Sequence, residues 1–213
     1  MAMNAGGEDS RLLVWLGTVA ALGLVFQVGH FAEHAIQFTV WLLGDLSNIC
    51  GRDTPWMSPW ANELVRSLGL WLFPTAVAGR RMMLGMETLH LIGNSIFLAS
   101  LACLYYCLRS KWVKWALLVE TFHLYEHILL TATAYFVGKP IGLSTLFGDS
   151  DAIGNREFAV GYRVSWHFFM NLLPMPFAMV ALMERWRGIS EKAPLTIARR
   201  ATGTEPRSQP SAA

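Results

Sequence analysis

The chain has 213 residues, of which 54% are hydrophobic and 15% charged, with a formal net charge of +2. That composition excludes an ordinary soluble domain, and a charge excess this small, held in short loops and the tail, excludes a nucleic-acid footprint. The length suits one domain or one membrane bundle of about four to six helices.

In chain order, the opening MAMNAGGEDSR carries acidic residues where a secretory signal carries basic ones, so the first apolar helix is expected to be retained. Spans are expected at 12–43, 86–108, 112–137 and 162–183, each able to supply the roughly 20 helical residues that cross a bilayer. Gly44, Gly138 and Gly161 punctuate three of their ends, and several of the nine tryptophans stand where apolar runs meet polar loops. Between the first two spans lie Trp56-Met-Ser-Pro-Trp60 and the apolar stretch Leu64 to Ala78. That stretch is short and holds Arg66 and Pro74, so it reads as an interfacial or re-entrant helix. The second and third spans are joined only by RSKWVK and must be antiparallel neighbours. The connection from Gly138 to Gly161 is rich in glycine and aspartate, as a lid would be, and 191–213 reads as a disordered basic tail. The expected fold is all-α: an integral membrane four-helix bundle over 1–190.

Arg109, Lys111 and Lys114 in the short loop, with Arg185, Arg187, Lys192, Arg199 and Arg200 after the last span, put both termini on the cytoplasmic side of a bacterial inner membrane. The bias is modest, since Arg52, Arg66, Arg80, Arg81, Lys139 and Arg156 lie opposite. Cys103 and Cys107 share a helix face and Cys50 stands alone, a set that forms no disulfide framework and no CxxC metal motif. All three read as space-filling thiols.

The chemistry lies in six histidines, all inside expected spans. The first span carries His30-Phe-Ala-Glu33-His34 and the third His123-Leu-Tyr-Glu126-His127, the same HxxEH twice. The second carries His90-Leu-Ile-Gly-Asn94 and the fourth His167-Phe-Phe-Met-Asn171, the same HxxxN twice. Spans one and two therefore read as a diverged copy of spans three and four, related by an axis along the membrane normal. At about 100° per residue the two imidazoles and the glutamate of each HxxEH share one stripe. Glu120 extends that stripe by a turn, Gln27 takes the matching place in the first span, and Glu87 adds an ExxH carboxylate before His90. ExxH is the spacing by which di-iron bundles offer a carboxylate and an imidazole to one metal pair. Depth agrees: His34 lies ten residues before Gly44 and His127 eleven before Gly138, while His90 is five after Gly85 and His167 six after Gly161.

The expected metal ligands are thus His30, Glu33, His34, Glu87, His90, Glu120, His123, Glu126, His127 and His167, with Glu33, Glu126 and Glu120 as catalytic carboxylates. Gln27, Asn94 and Asn171 read as supporting partners of those ligands or as helix glue. A lone intramembrane histidine is more often a satisfied interhelical bond than a ligand; a carboxylate beside two imidazoles on each of two helices exceeds what packing needs. Met82, Met83 and Met86 suit copper(I), but methionine near a span end is usually filler.

Imidazole with carboxylate favours two transition-metal ions, iron first, with zinc, copper or haem b as alternatives. On these residues the chain loosely resembles the membrane-bound, histidine-rich non-haem di-iron oxygenases, such as alkane and fatty-acid hydroxylases and desaturases. Those families use HxxxH and HxxHH boxes where this chain has HxxEH, so the resemblance covers only the metal-bearing helices. It implies O2 activation, with hydroxylation, desaturation or N-oxygenation of an apolar or amphipathic small molecule. No flavin or cluster motif is present, so electrons are expected from a separate donor, a ferredoxin and its reductase or a quinol. Competing readings are a haem b electron-transfer subunit and a metal-ion or proton transporter.

Overall fold

The computed structural model describes residues 5–44 and 57–201, and among these every regular element is a helix. In chain order they are α1 (Ala5–Leu42), α2 (Pro59–Leu72), α3 (Ala78–Leu108), α4 (Lys111–Phe136), α5 (Leu143–Leu146), α6 (Ser150–Ile153), α7 (Arg156–Leu172) and α8 (Pro174–Ala201). Cys50, Arg52 and Trp56 lie outside the described residues.

Three stretches are long and apolar enough to cross a membrane: Ser10–Leu42, Ala78–Leu108 and Arg156–Arg187. α4 is long enough at 26 residues, but Glu120, His123, Glu126 and His127 lower its apolarity, and it is not among the three. Of the four expected spans, α4 is therefore the one whose composition falls short, and the residues responsible are its candidate ligands. Large apolar side chains remain exposed along α1, Trp15 and Val25 at 71% each, which a water-soluble surface of this extent would not tolerate.

Several boundaries differ from expectation. α1 and α3 begin earlier, at Ala5 and Ala78, because charged residues such as Arg80 and Arg81 end an apolar run without ending a helix. Arg80 Nη2 donates to Tyr135 O at 3.0 Å, tying the start of α3 to the end of α4. The fourth expected span loses one rung at Pro174, which has no N–H to give and crowds the carbonyl four residues back; Leu173 keeps helical dihedrals (φ −56°, ψ −43°), so α7 runs on into α8. The connection 138–161 holds α5, α6 and the first turn of α7. The tail expected to be disordered from 191 is helical to Ala201, since Glu, Lys, Ala and Arg form helix readily even where no core is available; 202–213 lie outside the described residues.

The short apolar stretch before α3 is covered by α2, which starts with Ser58 at the N-cap, its side chain accepting from Ala61 N, and Pro59 in the first turn. Its buried face is Ala61, Val65 and Gly69, while on its exposed face Arg66 donates to Glu63 and holds that carboxyl below its ordinary pKa. The chain approaches closely where α2 meets α3. A Cβ on Gly85 would collide with Val65 O and lie 3.0 Å from Gly69 N, and one on Gly69 would lie 2.5 Å from Arg81 O.

α3 and α4 are joined only by Arg109 and Ser110, so they are antiparallel neighbours, as their short loop demands. Arg109 closes α3 in the left-handed region at φ 52°, and Ser110 caps α4 by accepting from Trp112 N. α1 packs on α3 and α7, α3 on α1, α2 and α4, and α4 on α3 and α8. The apolar core between α1, α3, α4 and α8 is made of Ala20, Phe97, Leu101, Leu104, Val113, Ala116, Ala178 and Ala181. Its many alanines let the backbones approach, as helices in lipid require. Cys103 packs against this core as filler. Moving away from it, α1 next presents Gln27 and then His30, α3 Asn94 and then His90, and α4 Glu120 and then His123. An apolar end thus gives way to a polar layer and then to imidazoles.

Candidate metal centre

All six histidines meet in that last layer. Ring centroids of His34 and His90 are 5.5 Å apart, His90 and His127 5.2 Å, His127 and His167 5.5 Å, and His167 and His34 5.6 Å, so these four close a ring. His30 joins it 4.7 Å from His34, and His123 joins it 4.9 Å from His127. One donor atom each from His30, His34 and His90 lies within 4.8 Å of the other two, the spacing of a metal-binding triad. On the other side His123 Nε2 and His127 Nε2 are 3.2 Å apart. Two ligands of one ion, each at roughly 2.0–2.1 Å, stand about 3.0–3.4 Å from each other, so that separation suits a shared ion.

Hydrogen bonds fix which nitrogen each ring offers. His90 Nδ1 meets Met86 O at 2.9 Å and His167 Nδ1 meets Arg163 O at 2.8 Å. A carbonyl only accepts, so both Nδ1 atoms carry the proton and the neutral rings present Nε2 as a lone pair. His34 Nδ1 is bound to Gln37 Oε1 at 2.9 Å with the same result. A ring held through one nitrogen with the other left as a donor pair is how metal-binding histidines are oriented.

The helix pairs repeat one another in detail. Asn94 Nδ2 donates to His90 O and Asn171 Nδ2 to His167 O, both at 2.9 Å. The Ser58 N–H donates to Glu33 Oε1 and the Ser144 N–H to Glu126 Oε1, both at 2.6 Å. In each case the HxxEH glutamate holds the backbone of the connection that follows its own helix. Gln27 Nε2 donates to Asn171 Oδ1 at 2.9 Å, while at the matching place Glu120 is fully buried and comes only within 3.5 Å of His123 Nδ1. The correspondence stops at the residues before the HxxxN histidines: Met86 and Glu87 on α3, Arg163 and Val164 on α7. Arg163 Nη2 donates to Glu87 Oε1 at 2.9 Å, forming a buried ion pair.

Among the expected ligands, then, the histidines come together, and three of the four carboxylates also carry a hydrogen bond to another group. Glu33 and Glu126 are held by serine amides, Glu87 by Arg163, and Glu120 lies one turn nearer the apolar core. Met86 packs with Met57, Ala61 and Val65 as filler. Residues that the sequence did not single out are Gln37, Ser58, Ser144 and Arg163. Gln37 and Arg163 carried a usable signal, since each lies three or four residues from a histidine on the same helix face.

Buried donor and acceptor atoms without a partner concentrate at this place: His30 Nε2, His34 Nε2, His123 Nδ1, His127 Nδ1, both Glu120 oxygens and Glu126 Oε2 among them. Each such group costs about 1–3 kcal/mol if nothing satisfies it, and proteins carry few. The lone pair of His34 Nε2 and those of the carboxylate oxygens are what a transition-metal ion satisfies, so the donor set fits one, while His123 and His127, offering Nε2, keep the proton on Nδ1. A cavity of about 30 Å³ adjoins the rings, lined by residues that include His34, His90, His167, Glu87 and Arg163. Nothing among curated proteins and nothing among solved structures matches the chain. One family does match, over residues 4–208, and the chain belongs to it: DUF6008, a family of unknown function.

Proposed function

We propose that this protein is a membrane-embedded dinuclear metalloprotein, with iron as its metal, that uses O2 and electrons from a separate donor to oxidise a small apolar or amphipathic molecule. The observation that carries the reading is the six-histidine cluster, in which His34, His90 and His167 are held through Nδ1 with Nε2 left as a lone pair. The recurrence of the same serine, asparagine and carbonyl bonds in both helix pairs supports a duplicated four-helix bundle in which α1 and α3 correspond to α4 and α7. In that arrangement His30, His34, His90 and Glu33 serve one ion, and His123, His127, His167 and Glu126 the other. Glu87 and Glu120 lie beside the pair. Three apolar stretches support a place in the membrane, where α4 packs on α3 and α8 and turns Leu118, Phe122, Tyr125 and Ile128 outward, with its basic end and both termini facing the cytoplasm.

Held by these histidines with Glu33 and Glu126, an iron pair would supply a site for O2 and relay to it the electrons of the donor. The overall reaction balances as substrate C–H, O2, two electrons and two protons giving C–OH and water, the electrons coming from a quinol or a ferredoxin-type donor. The chain's own contribution is to hold the ligand rings rigid through Gln37, Met86 O and Arg163 O, and to keep bulk water out with the apolar core beneath them. A haem needs several hundred Å³ between its axial ligands, and the cavity of about 30 Å³ beside the histidines favours bare ions over a porphyrin.

Elemental analysis of the detergent-purified protein tests the reading: about two iron atoms per chain are expected. A protein free of metal at neutral pH overturns it. Donor-dependent O2 uptake without ion flux in liposomes is the expected activity, and metal-ion flux without O2 uptake would replace the oxidase with a transporter.

A further inference from the structure

The two helix pairs match at the asparagines and the serine-bound glutamates and differ at Gln27 against Glu120, at Gln37 against Leu130, and in charge where they face the small cavity. There α3 contributes Met86 and Glu87, and α7 contributes Arg163 and Val164, all four lining it with His34, His90 and His167. A duplicated scaffold that keeps its serine-bound glutamates and changes charge on one side has a side on which something other than the ligands binds. Arg163 is 8% exposed, and among the described residues its guanidinium makes one hydrogen bond, to Glu87 Oε1. A guanidinium has five N–H donors in a planar fork, so most of its capacity remains for a ligand. A buried arginine with most of its donors uncommitted, beside imidazoles, is chemically an anion receptor. A water needs roughly 10–15 Å³ of such space, so about 30 Å³ holds a planar group of three or four heavy atoms.

We infer that Arg163 forms a binding site for a small planar monoanion of the carboxylate type, placed beside His34, His90 and His167 on the Glu87 side of the cluster. This deepens the metal reading and rests on it for what the anion meets there, the ion of His34 and His90 on one side and that of His167 on the other. Glu87 neutralises the guanidinium while the site is empty, and the metal ions supply the positive charge that lets a second anion enter beside it. The carboxylate belongs either to a free anion or to the head of a longer substrate whose tail leaves the cavity toward the lipid.

Formate titrated calorimetrically into the full-length protein in detergent, with metal content measured on the same preparation, tests the site. Saturable binding of one formate per chain is expected, tighter in Glu87→Gln, where the competing acceptor loses its charge. In Arg163→Gln it should weaken by about tenfold or more, the scale of a charge-assisted hydrogen bond. Arg163→Gln alone leaves Glu87 buried and unpaired, so the double variant Arg163→Gln/Glu87→Gln keeps an amide pair in the same space and should fold while binding formate no better than Arg163→Gln. Octanoate binding more tightly than formate would assign the site to a substrate head group, and formate binding alone would assign it to a free anion. Absence of saturable formate binding in the native protein, or wild-type affinity in the folded double variant, overturns the inference. Formate binding through Arg163 in a preparation without metal would overturn the metal reading and leave the anion site standing.

Discussion

Replacing Glu126 by glutamine separates its two roles. Its carboxylate is 3% exposed; Oε1 accepts the Ser144 N–H at 2.6 Å, and Oε2 is buried without a partner. Glutamine keeps the oxygen that Ser144 needs, so the connection after α4 stays attached and stability should change by about 1 kcal/mol or less, the difference between charged and neutral acceptors. Alanine leaves the Ser144 N–H unsatisfied and should cost about 1–3 kcal/mol. Metal behaves differently, since both variants put an uncharged group where the ion's carboxylate belongs. Even partners one shell removed from a metal shift its affinity by about 10–100-fold, and a direct ligand shifts it more. One ion of the expected pair should therefore be lost from Glu126→Gln at micromolar protein, and Glu33→Gln should behave alike through Ser58. The double variant should lose both. Metal per chain by elemental analysis, read beside a detergent melting curve, gives the two axes. If Glu126→Gln melts like the native protein and keeps its full metal content, the glutamate is only an anchor for the Ser144 segment and the proposed ligand set is wrong.

Further outcomes are expected. Gly85→Ala should be destabilised by about 1–3 kcal/mol, the usual cost of overpacking, because its new methyl collides with Val65 O and α2 must move away from α3. Gly29→Ala, with nothing within 4 Å of its Cβ, should be neutral or gain about 0.5–1 kcal/mol in a helix interior; equal melting temperatures for the two would refute the close contact. Glu63→Ala and Glu157→Ala, on exposed helix surfaces, should leave metal content unchanged. The visible spectrum of the native protein should lack a stoichiometric Soret band, whose presence would promote haem over an ion pair.

What the sequence made legible is what a helix makes periodic. HxxEH and HxxxN place their side chains on one stripe whatever surrounds them, and the six histidines converge as that spacing requires. Helix existence was equally clear, while ends were misjudged where charge was taken for a boundary, as at Arg80 and Arg81 before Met86. The rung lost at Pro174 was available from that residue and was hidden by the apolarity on both sides of it. The partners of the carboxylates were not legible. Ser58 and Ser144 meet Glu33 and Glu126 through backbone N–H groups, which every residue has, so no side-chain pattern announces them. Glu87 read as a ligand because ExxH is a ligand spacing; its contact with Arg163 joins positions 76 residues apart, a separation that no local pattern encodes.

The rung missing at Pro174 also bears on mechanics. α7 packs on α1 and α8 on α4, so one length of chain is divided between two neighbours at Leu173. That point lies just beyond Asn171 and His167, at the boundary between the polar layer and the alanine-rich end that holds Ala178 and Ala181. Pro174 cannot donate to Met170 O, which removes one rung of the ladder that would transmit a tilt from α7 to α8. α3, which carries the other HxxxN, runs unbroken from Ala78 to Leu108. The protein therefore has one strut with a full ladder and one with a rung missing, and a tilt that carries His167 and Arg163 meets its least resistance at that rung.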